Sequence, residues 1–212
     1  METILLADDQ EIVRKGVKMM IENFPEKYTI IEAASCADVM EILFNAGTTI
    51  RYTILDLFLS DGNSFSTIHQ IMEKSYKTSI LIYSMQSEKI YARRLLQKGV
   101  HAFVSKQAPI GELEKAIGCL LRDEIYLSQA TKKDLIGPTK QDLLENPVDA
   151  LSDRELEVVE YLTIGISSGN IAQKMKLDIT TVSTYRRRAL AKLGVTNNIE
   201  LRNKFLLYKM QE

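Results

Sequence analysis

Through the first 122 residues, short and wholly apolar runs alternate with stretches whose apolar residues recur at helical spacing, and this alternation restricts the fold more than any other feature. Residues 3 to 7 run Thr-Ile-Leu-Leu-Ala into Asp8-Asp9, and Ile12, Val13, Val17, Met20 and Ile21 then fall on one side of a helix. The order repeats: residues 28 to 33 before a helix near 37 to 44, residues 52 to 56 before one near 64 to 73, residues 79 to 83 before 88 to 97, and residues 102 to 104 before 110 to 121. Apolar strands that alternate with helices imply a parallel sheet covered on both faces, because parallel strands need crossover helices and the crossovers are right-handed. The expectation is an α/β domain, a doubly wound (βα)5 unit with a parallel five-stranded sheet over residues 1–122. Such a sheet gathers its functional groups at the carboxyl ends of its strands.

From residue 123 to 148 the pattern weakens. Gly137-Pro138 and Asn146-Pro147 are breakers, and Ser128 can start one short helix. This stretch is expected to be a linker. Over 149–212 strand signals are absent and helical runs fall at about 152 to 163, 168 to 175, 179 to 193 and 197 to 210. Ser152-Asp153-Arg154-Glu155 has the spacing of a capping box, in which two side chains satisfy each other's free backbone amides. The second domain is expected to be an all-α four-helix unit.

The strand ends carry chemistry. Asp8 and Asp9 follow the first strand, Asp56 the third, Ser84 closes the fourth and Lys106 the fifth. The (βα)5 topology sets the first and third strands side by side. Three crowded carboxylates repel, and a divalent cation among them relieves the repulsion; hard oxygen ligands with open positions suit Mg²⁺. A carboxylate held in line can also act as a nucleophile toward phosphorus, giving an aspartyl phosphate. Asp56, alone at its strand end, is the expected nucleophile, with Asp8 and Asp9 as the metal pair. A single Asp after a strand is ordinarily a helix cap and a single Lys ordinarily solvated. Four strands ending in the required residue types, in the required order, are much rarer by chance.

On these residues, the first 122 positions resemble a receiver domain of two-component signalling. The resemblance implies that Asp56 is the phosphoacceptor, and that Asp9 and Asp56 ligate Mg²⁺ with the backbone carbonyl of Phe58 while Asp8 acts largely through water. It implies that the Ser84 hydroxyl swings toward the phosphoryl group and that Phe103 rotates in behind it as the second switch residue. Two positions depart from the family pattern: Ser60 stands where Pro is usual, and Gln107 follows Lys106 where many members have Pro.

In the C-terminal part, Leu151 to Val158, Gly165, Ile171-Ala172, Thr181-Val182 and Lys192-Leu193 match the LuxR-type helix-turn-helix pattern, so the whole chain resembles the NarL/FixJ class of response regulators. Helical periodicity puts Val182, Ala189 and Leu193 inward behind an Asp178 N-cap and Ser183, Thr184 and Arg187 outward. An exposed first turn of small polar groups plus an arginine can enter the major groove. Thr181, Tyr185, Arg186 and Arg188 are assigned to phosphates or to support of the fold. Ile199, Leu201, Phe205, Leu206 and Tyr208 give the last helix a large apolar surface, and the resemblance makes it the dimer-forming helix.

Charge supports the second reading only locally. The chain carries a formal net charge of -1, residues 149 to 212 hold 10 Lys/Arg against 8 Asp/Glu, and Arg186, Arg187 and Arg188 are consecutive. No apolar run has the length of a membrane span and no secretory signal opens the chain, so a cytoplasmic protein is expected. Cys36 and Cys119 lack metal-ligand spacing and are expected to be buried, reduced thiols on helices. The implied partners are a sensor histidine kinase, double-stranded DNA with paired half-sites, and a second copy of the chain when phosphorylated. An enzyme is not expected, because a stand-alone aspartyl phosphatase needs a second Asp two residues after the nucleophile, where Phe58 stands. The remaining rival is a DNA-binding regulator with a vestigial receiver.

Overall fold

The computed structural model describes residues 2–44, 49–74, 78–136 and 147–209. Contacts divide the chain into two compact units, Met1–Asp134 and Leu135–Glu212, each taken by itself below.

The first unit is built on a five-stranded parallel sheet. Its strands are β1 (Glu2–Ala7), β2 (Tyr28–Ala33), β3 (Ile50–Leu55), β6 (Ser79–Ser84) and β7 (Ala102–Ser105), in the order β2-β1-β3-β6-β7. The helices α1 (Glu11–Glu22), α2 (Cys36–Phe44), α3 (Phe65–Lys74), α4 (Glu88–Gln97) and α5 (Ile110–Leu120) supply the crossovers. Thus the (βα)5 expectation holds, and a small antiparallel pair, β4 (Phe58–Leu59) with β5 (Gly62–Asn63), joins it between β3 and α3.

Strand position explains burial. In β1, Ile4, Leu5 and Leu6 are all buried, as a central strand covered on both faces requires, whereas edge strand β2 buries only Ala33 fully. Ile4, Leu6, Ile54, Leu81 and Val104 from the sheet meet Val17 and Ile21 of α1 and Leu113, Ala116, Ile117 and Leu120 of α5 in one core. Ile12 does not share the inward side expected of it. It is 76% exposed, because at about 100° per residue it lies about 100° round the helix from Val13 and about 140° from Val17, off the face that α1 turns to the core. Cys36 and Cys119 are free and half-buried rather than buried, for each sits on a helix surface.

The chain stays on this unit beyond α5. Asp123, in the left-handed region at φ 58, accepts a hydrogen bond from Ser79 Oγ at 2.8 Å and pairs with Arg51. The Tyr126 amide donates to the His101 carbonyl at 2.9 Å. Helix α6 (Gln129–Ile136) begins as the sequence suggests, with Ser128 Oγ accepting from the Thr131 amide at 3.0 Å. Ser128 and Thr131 hydroxyls both donate to Glu88 at the start of α4. Gly137-Pro138 and Asn146, read as breakers, lie outside the described residues.

The second unit holds α7 (Asp153–Thr163), α8 (Ser168–Met175), α9 (Ile179–Leu193) and α10 (Asn198–Lys209), the four expected helices. Leu156, Ile171, Val182, Ala189, Leu193, Leu201 and Phe205 form its interior. Gly194 ends α9 at φ 62, a conformation that costs a side-chain-bearing residue energy, and Lys204 Nζ caps the Leu193 carbonyl at 2.6 Å. Both bonds of the capping box are present: Ser152 N donates to Glu155 Oε2 at 2.7 Å, and Glu155 N donates to Ser152 Oγ at 3.3 Å.

Lys192 Nζ of α9 reaches the same Glu155 oxygen at 2.6 Å, tying α9 to the start of α7. Burial alone would push the Glu155 carboxyl up, but the Lys192 and Ser152 hydrogen bonds more than offset it and hold the group below the ordinary glutamate range. A depressed folded pKa stabilises above the unfolded value of about 4.3 and is lost as pH falls through the folded value. Accordingly, Glu155→Ala should cost about 1–2 kcal/mol at neutral pH. Glu155→Gln, which keeps the box but not the charge, should flatten the loss of stability below about pH 4.3. Denaturant melts of the full chain followed across pH check both.

Candidate functional site

Parallel register brings the acids together. Ala7 pairs with Leu55, and the ladder runs one residue further, with Asp56 N donating to the Ala7 carbonyl at 2.8 Å and Asp8 N to the Ala33 carbonyl at 3.1 Å. Asp8 and Asp56 are therefore each the first residue beyond a buried strand. Carboxylate oxygens of Asp8, Asp9 and Asp56 lie within 4.8 Å of one another; Asp8 and Asp56 are buried and Asp9 is exposed. On the far side of β3, Ser84 ends β6 and Lys106 follows β7, their backbones joined by Lys106 N donating to the Ser84 carbonyl at 2.8 Å.

The side chains converge on Asp56. Ser84 Oγ donates to Asp56 Oδ1 at 2.6 Å, and Lys106 Nζ donates to Asp56 Oδ2 and to Asp8 Oδ2, each at 2.6 Å. The Phe58 amide donates to Asp56 Oδ1 at 3.2 Å, the Gln10 amide to Asp8 Oδ1 at 2.9 Å, and Ser64 Oγ to the Asp56 carbonyl at 2.8 Å. Burial raises the Asp8 carboxyl above its ordinary range, only partly countered by Lys106 and the Gln10 amide. For Lys106 burial works toward a lower pKa, but the hydrogen bonds to Asp56 and Asp8 outweigh it and hold the ammonium firmly protonated. With all three acids ionised the cluster carries a charge of -2 (three carboxylates, one ammonium), the complement of a divalent cation.

Two further residues named from the sequence lie nearby in the fold. Phe103 is 2% exposed on β7, paired with Ile82 of β6, and Phe58 opens β4 directly after Asp56-Leu57. The Gln107 amide is held by Ser105 Oγ at 3.2 Å, so the position after Lys106 is fixed without Pro. Ser64 went unnoticed in the sequence because a Ser ahead of a helix looks like an ordinary cap. Its role shows only once the loop from Asp56 closes on it.

In the second unit, α9 presents the residues named for DNA contact. Ser183, Arg187 and Arg188 are exposed, while Thr181, Thr184, Tyr185 and Arg186 are half-buried. The inward set, Val182, Ala189 and Leu193, is buried as the periodicity requires. Ser183 Oγ donates to the Ile179 carbonyl at 2.8 Å and Thr184 Oγ to the Thr180 carbonyl at 3.0 Å, leaving each hydroxyl oxygen free to accept. Arg186 Nε donates to Asn198 Oδ1 at 2.7 Å and so braces α9 against α10. Asp178 precedes the helix as expected, but its side chain makes no capping bond.

Residues 4–118 match the family model of the response regulator receiver domain, and residues 149–204 match that of bacterial regulatory proteins of the luxR family. The chain belongs to the response-regulator family. Similar proteins include a putative transcriptional regulator of Pseudomonas aeruginosa, 29% identical over 92% of each chain. Response regulator UvrY of Escherichia coli K12 is 23% identical over 95% of this chain and 92% of its own. RcsB of Salmonella enterica serovar Typhimurium, solved bound to a promoter in the presence of the phosphomimetic BeF3-, matches with a TM-score of 0.75 at 25% identity, covering 96% of this chain and 97% of that one. As a response regulator it has a receiver domain, whose signalling partner is a histidine kinase, and a LuxR-type DNA-binding domain that serves transcription regulation.

In this response regulator Lys106 is the buried cation that offsets Asp8 and Asp56. Lys106→Met should destabilise the receiver by about 2–4 kcal/mol in chelator, since breaking a buried pair strands a charge. Urea unfolding of the full chain followed by near-UV circular dichroism would measure it, and an unchanged midpoint would show that Lys106 carries no structural share.

Proposed function

We propose that a histidine kinase transfers a phosphoryl group to Asp56, and that this event controls dimerisation and promoter binding by the C-terminal helices. The observation that carries the reading is the Asp56 carboxylate, nearly buried, with Lys106 on one oxygen and Ser84 on the other. Asp56 oxygen attacks phosphorus, the P–N bond to the kinase imidazole breaks, and its electron pair stays on nitrogen. The donor set fits Mg²⁺: three carboxylates in reach of one ion, with net charge -2, are hard oxygen ligands that leave room for phosphate oxygens. Asp8, Asp9 and Asp56 with the Phe58 carbonyl would hold it, and the ion would neutralise charge on the transferred group.

The chain's own residues do the remainder. Lys106 faces the incoming oxygens with a fixed positive charge. Ser84 gives up Asp56 Oδ1 and offers its hydroxyl hydrogen to the phosphoryl group, while Phe103, the second switch residue, is already buried on β7 and needs no inward turn. The α4, β7 and α5 face then changes shape, which acts as a population shift toward the DNA-binding form. In this reading residues 1–122 are the receiver, 149–212 the reader, and 123–148 the connection, whose first part lies against Glu88 and Glu112. Ser183, Thr184 and Arg187 meet base edges while Thr181, Tyr185, Arg186 and Arg188 meet phosphates or brace the helix. Ile199, 73% exposed on α10, belongs to the dimer contact. The protein works in the cytoplasm; among the described residues no helix is long and apolar enough to cross a membrane.

Acetyl phosphate with Mg²⁺ should add one phosphoryl group to wild type and none to Asp56→Asn, read by intact-mass spectrometry. Promoter binding by gel shift should tighten on phosphorylation of wild type only. Equal, donor-insensitive binding by both proteins would instead establish a regulator whose receiver is vestigial. Arg187→Ala should weaken binding to the selected promoter by about ten- to a hundredfold, the loss of one bidentate base contact.

A further inference from the structure

The loop between Asp56 and α3 is held by two contacts that phosphoryl transfer itself does not require. Its hairpin pairs Phe58 with Asn63 and Leu59 with Gly62, leaving Ser60-Asp61 as a two-residue connection. The Asp61 carboxylate reaches across to α2, where Oδ1 accepts from the Cys36 amide at 2.7 Å and Oδ2 from the Ala37 amide at 3.0 Å. A helix start offers unpaired amides and the positive end of the helix dipole, so a bidentate carboxylate is well held there. At the other end of the loop, fully buried Ser64 donates from Oγ to the Asp56 carbonyl and from its amide to the Leu57 carbonyl, both at 2.8 Å. The loop is thus fixed at its tip to α2 and at its end to Asp56 itself.

We propose that Asp61 and Ser64 are positioning residues for the metal site: they hold the Phe58 carbonyl and the Asp56 carboxylate in register for a divalent cation. The inference rests on the reading of Asp56, Asp8 and Asp9 as ligands. Its physical content is preorganisation. The Phe58 carbonyl belongs to a two-residue strand in a loop, and a loop left free to reorient would have to lose that freedom when an ion binds. Ser60 supplies none of the stiffness that Pro gives at that place, so the restraint comes from side chains instead. A plain cap of α2 is what Asp61 would be if the hairpin were anchored some other way. The contact with Asp56 through Ser64 ties the same loop to the reacting residue from its second end.

The test is Mg²⁺ binding to the unphosphorylated full chain by isothermal titration calorimetry, with acetyl phosphate labelling rates taken across Mg²⁺ concentration. Asp61→Ala and Ser64→Ala should raise the Mg²⁺ dissociation constant about three- to tenfold, as loss of an outer-shell support does. Rates at saturating Mg²⁺ should stay close to wild type, since no reacting group is removed. Asp61→Asn, with one acceptor oxygen, should fall between. Asp61 is exposed, so its variants keep the fold, which near-UV circular dichroism verifies. Unchanged Mg²⁺ affinity in both alanine variants, beside normal uptake by wild type, overturns the positioning role alone. Absence of uptake by wild type overturns it together with the reading of the acidic site.

Discussion

The electrostatic balance at Asp56 governs how the first unit is put together. Two carboxylates, those of Asp8 and Asp56, are withdrawn from water a few ångströms apart, with a third at the rim. Burying such charges uncompensated costs several kcal/mol each, far more than surface interactions return. The compensation is one ammonium, Lys106, shared between two carboxylates, and a fan of neutral donors from Ser84, Phe58 and Gln10. Each donor comes from a different strand end or the loop behind it. The strand order β2-β1-β3-β6-β7 is therefore an electrostatic requirement as well as a packing one: it sets acid, acid, hydroxyl and cation on four successive strands.

That same order explains why the receiver is so legible in its sequence. Central strands are buried on both faces, so β1, β3 and β6 appear as mainly apolar runs, broken only by Arg51 and Thr53 within β3, and each ends where a polar residue takes over. The ends of these runs and of β7 gather Asp8, Asp56, Ser84 and Lys106 in one place, so position along the strands alone picks them out. The features that escaped are those set by tertiary geometry. The β4 and β5 pair is two residues per strand, too short for any period to register. Ile12 is apolar and still faces water, because it lies off the arc that Val13, Val17 and Ile21 share; its residue type, not its helical angle, suggested burial. Asp178 has the residue type of a cap without the bond, and the half-buried cysteines show that residue type sets only an average burial.

The reading helix obeys a different logic. Val182, Ala189 and Leu193 were readable because burial leaves a periodic trace, whereas the outward face has no such constraint. Ser183 and Thr184 spend their hydrogens on helix carbonyls one turn back, a local choice open to any exposed hydroxyl. Arg186 is committed to Asn198, so three adjacent arginines are not three equivalent cations: one braces α9 on α10 and two stand exposed. Tertiary structure alone separates them, since the separation depends on which arginine the start of α10 meets.

A receiver has to be stable before its signal arrives and to change when it does. Both demands fall on the same atoms here, because the hydroxyl and ammonium that neutralise Asp56 in the resting protein are the groups a phosphoryl oxygen would attract. A phosphoryl group brings about -1.5 to -2 charges and three acceptor oxygens to a place where the donors are already assigned. In the function proposed above those donors would be reassigned, with Ser84 releasing Asp56 Oδ1. Glu88, four residues on, accepts both Ser128 and Thr131 from the stretch leading into α6. The end of β6 and the stretch leading into α6 thus lie one short run of backbone apart, joined through Glu88.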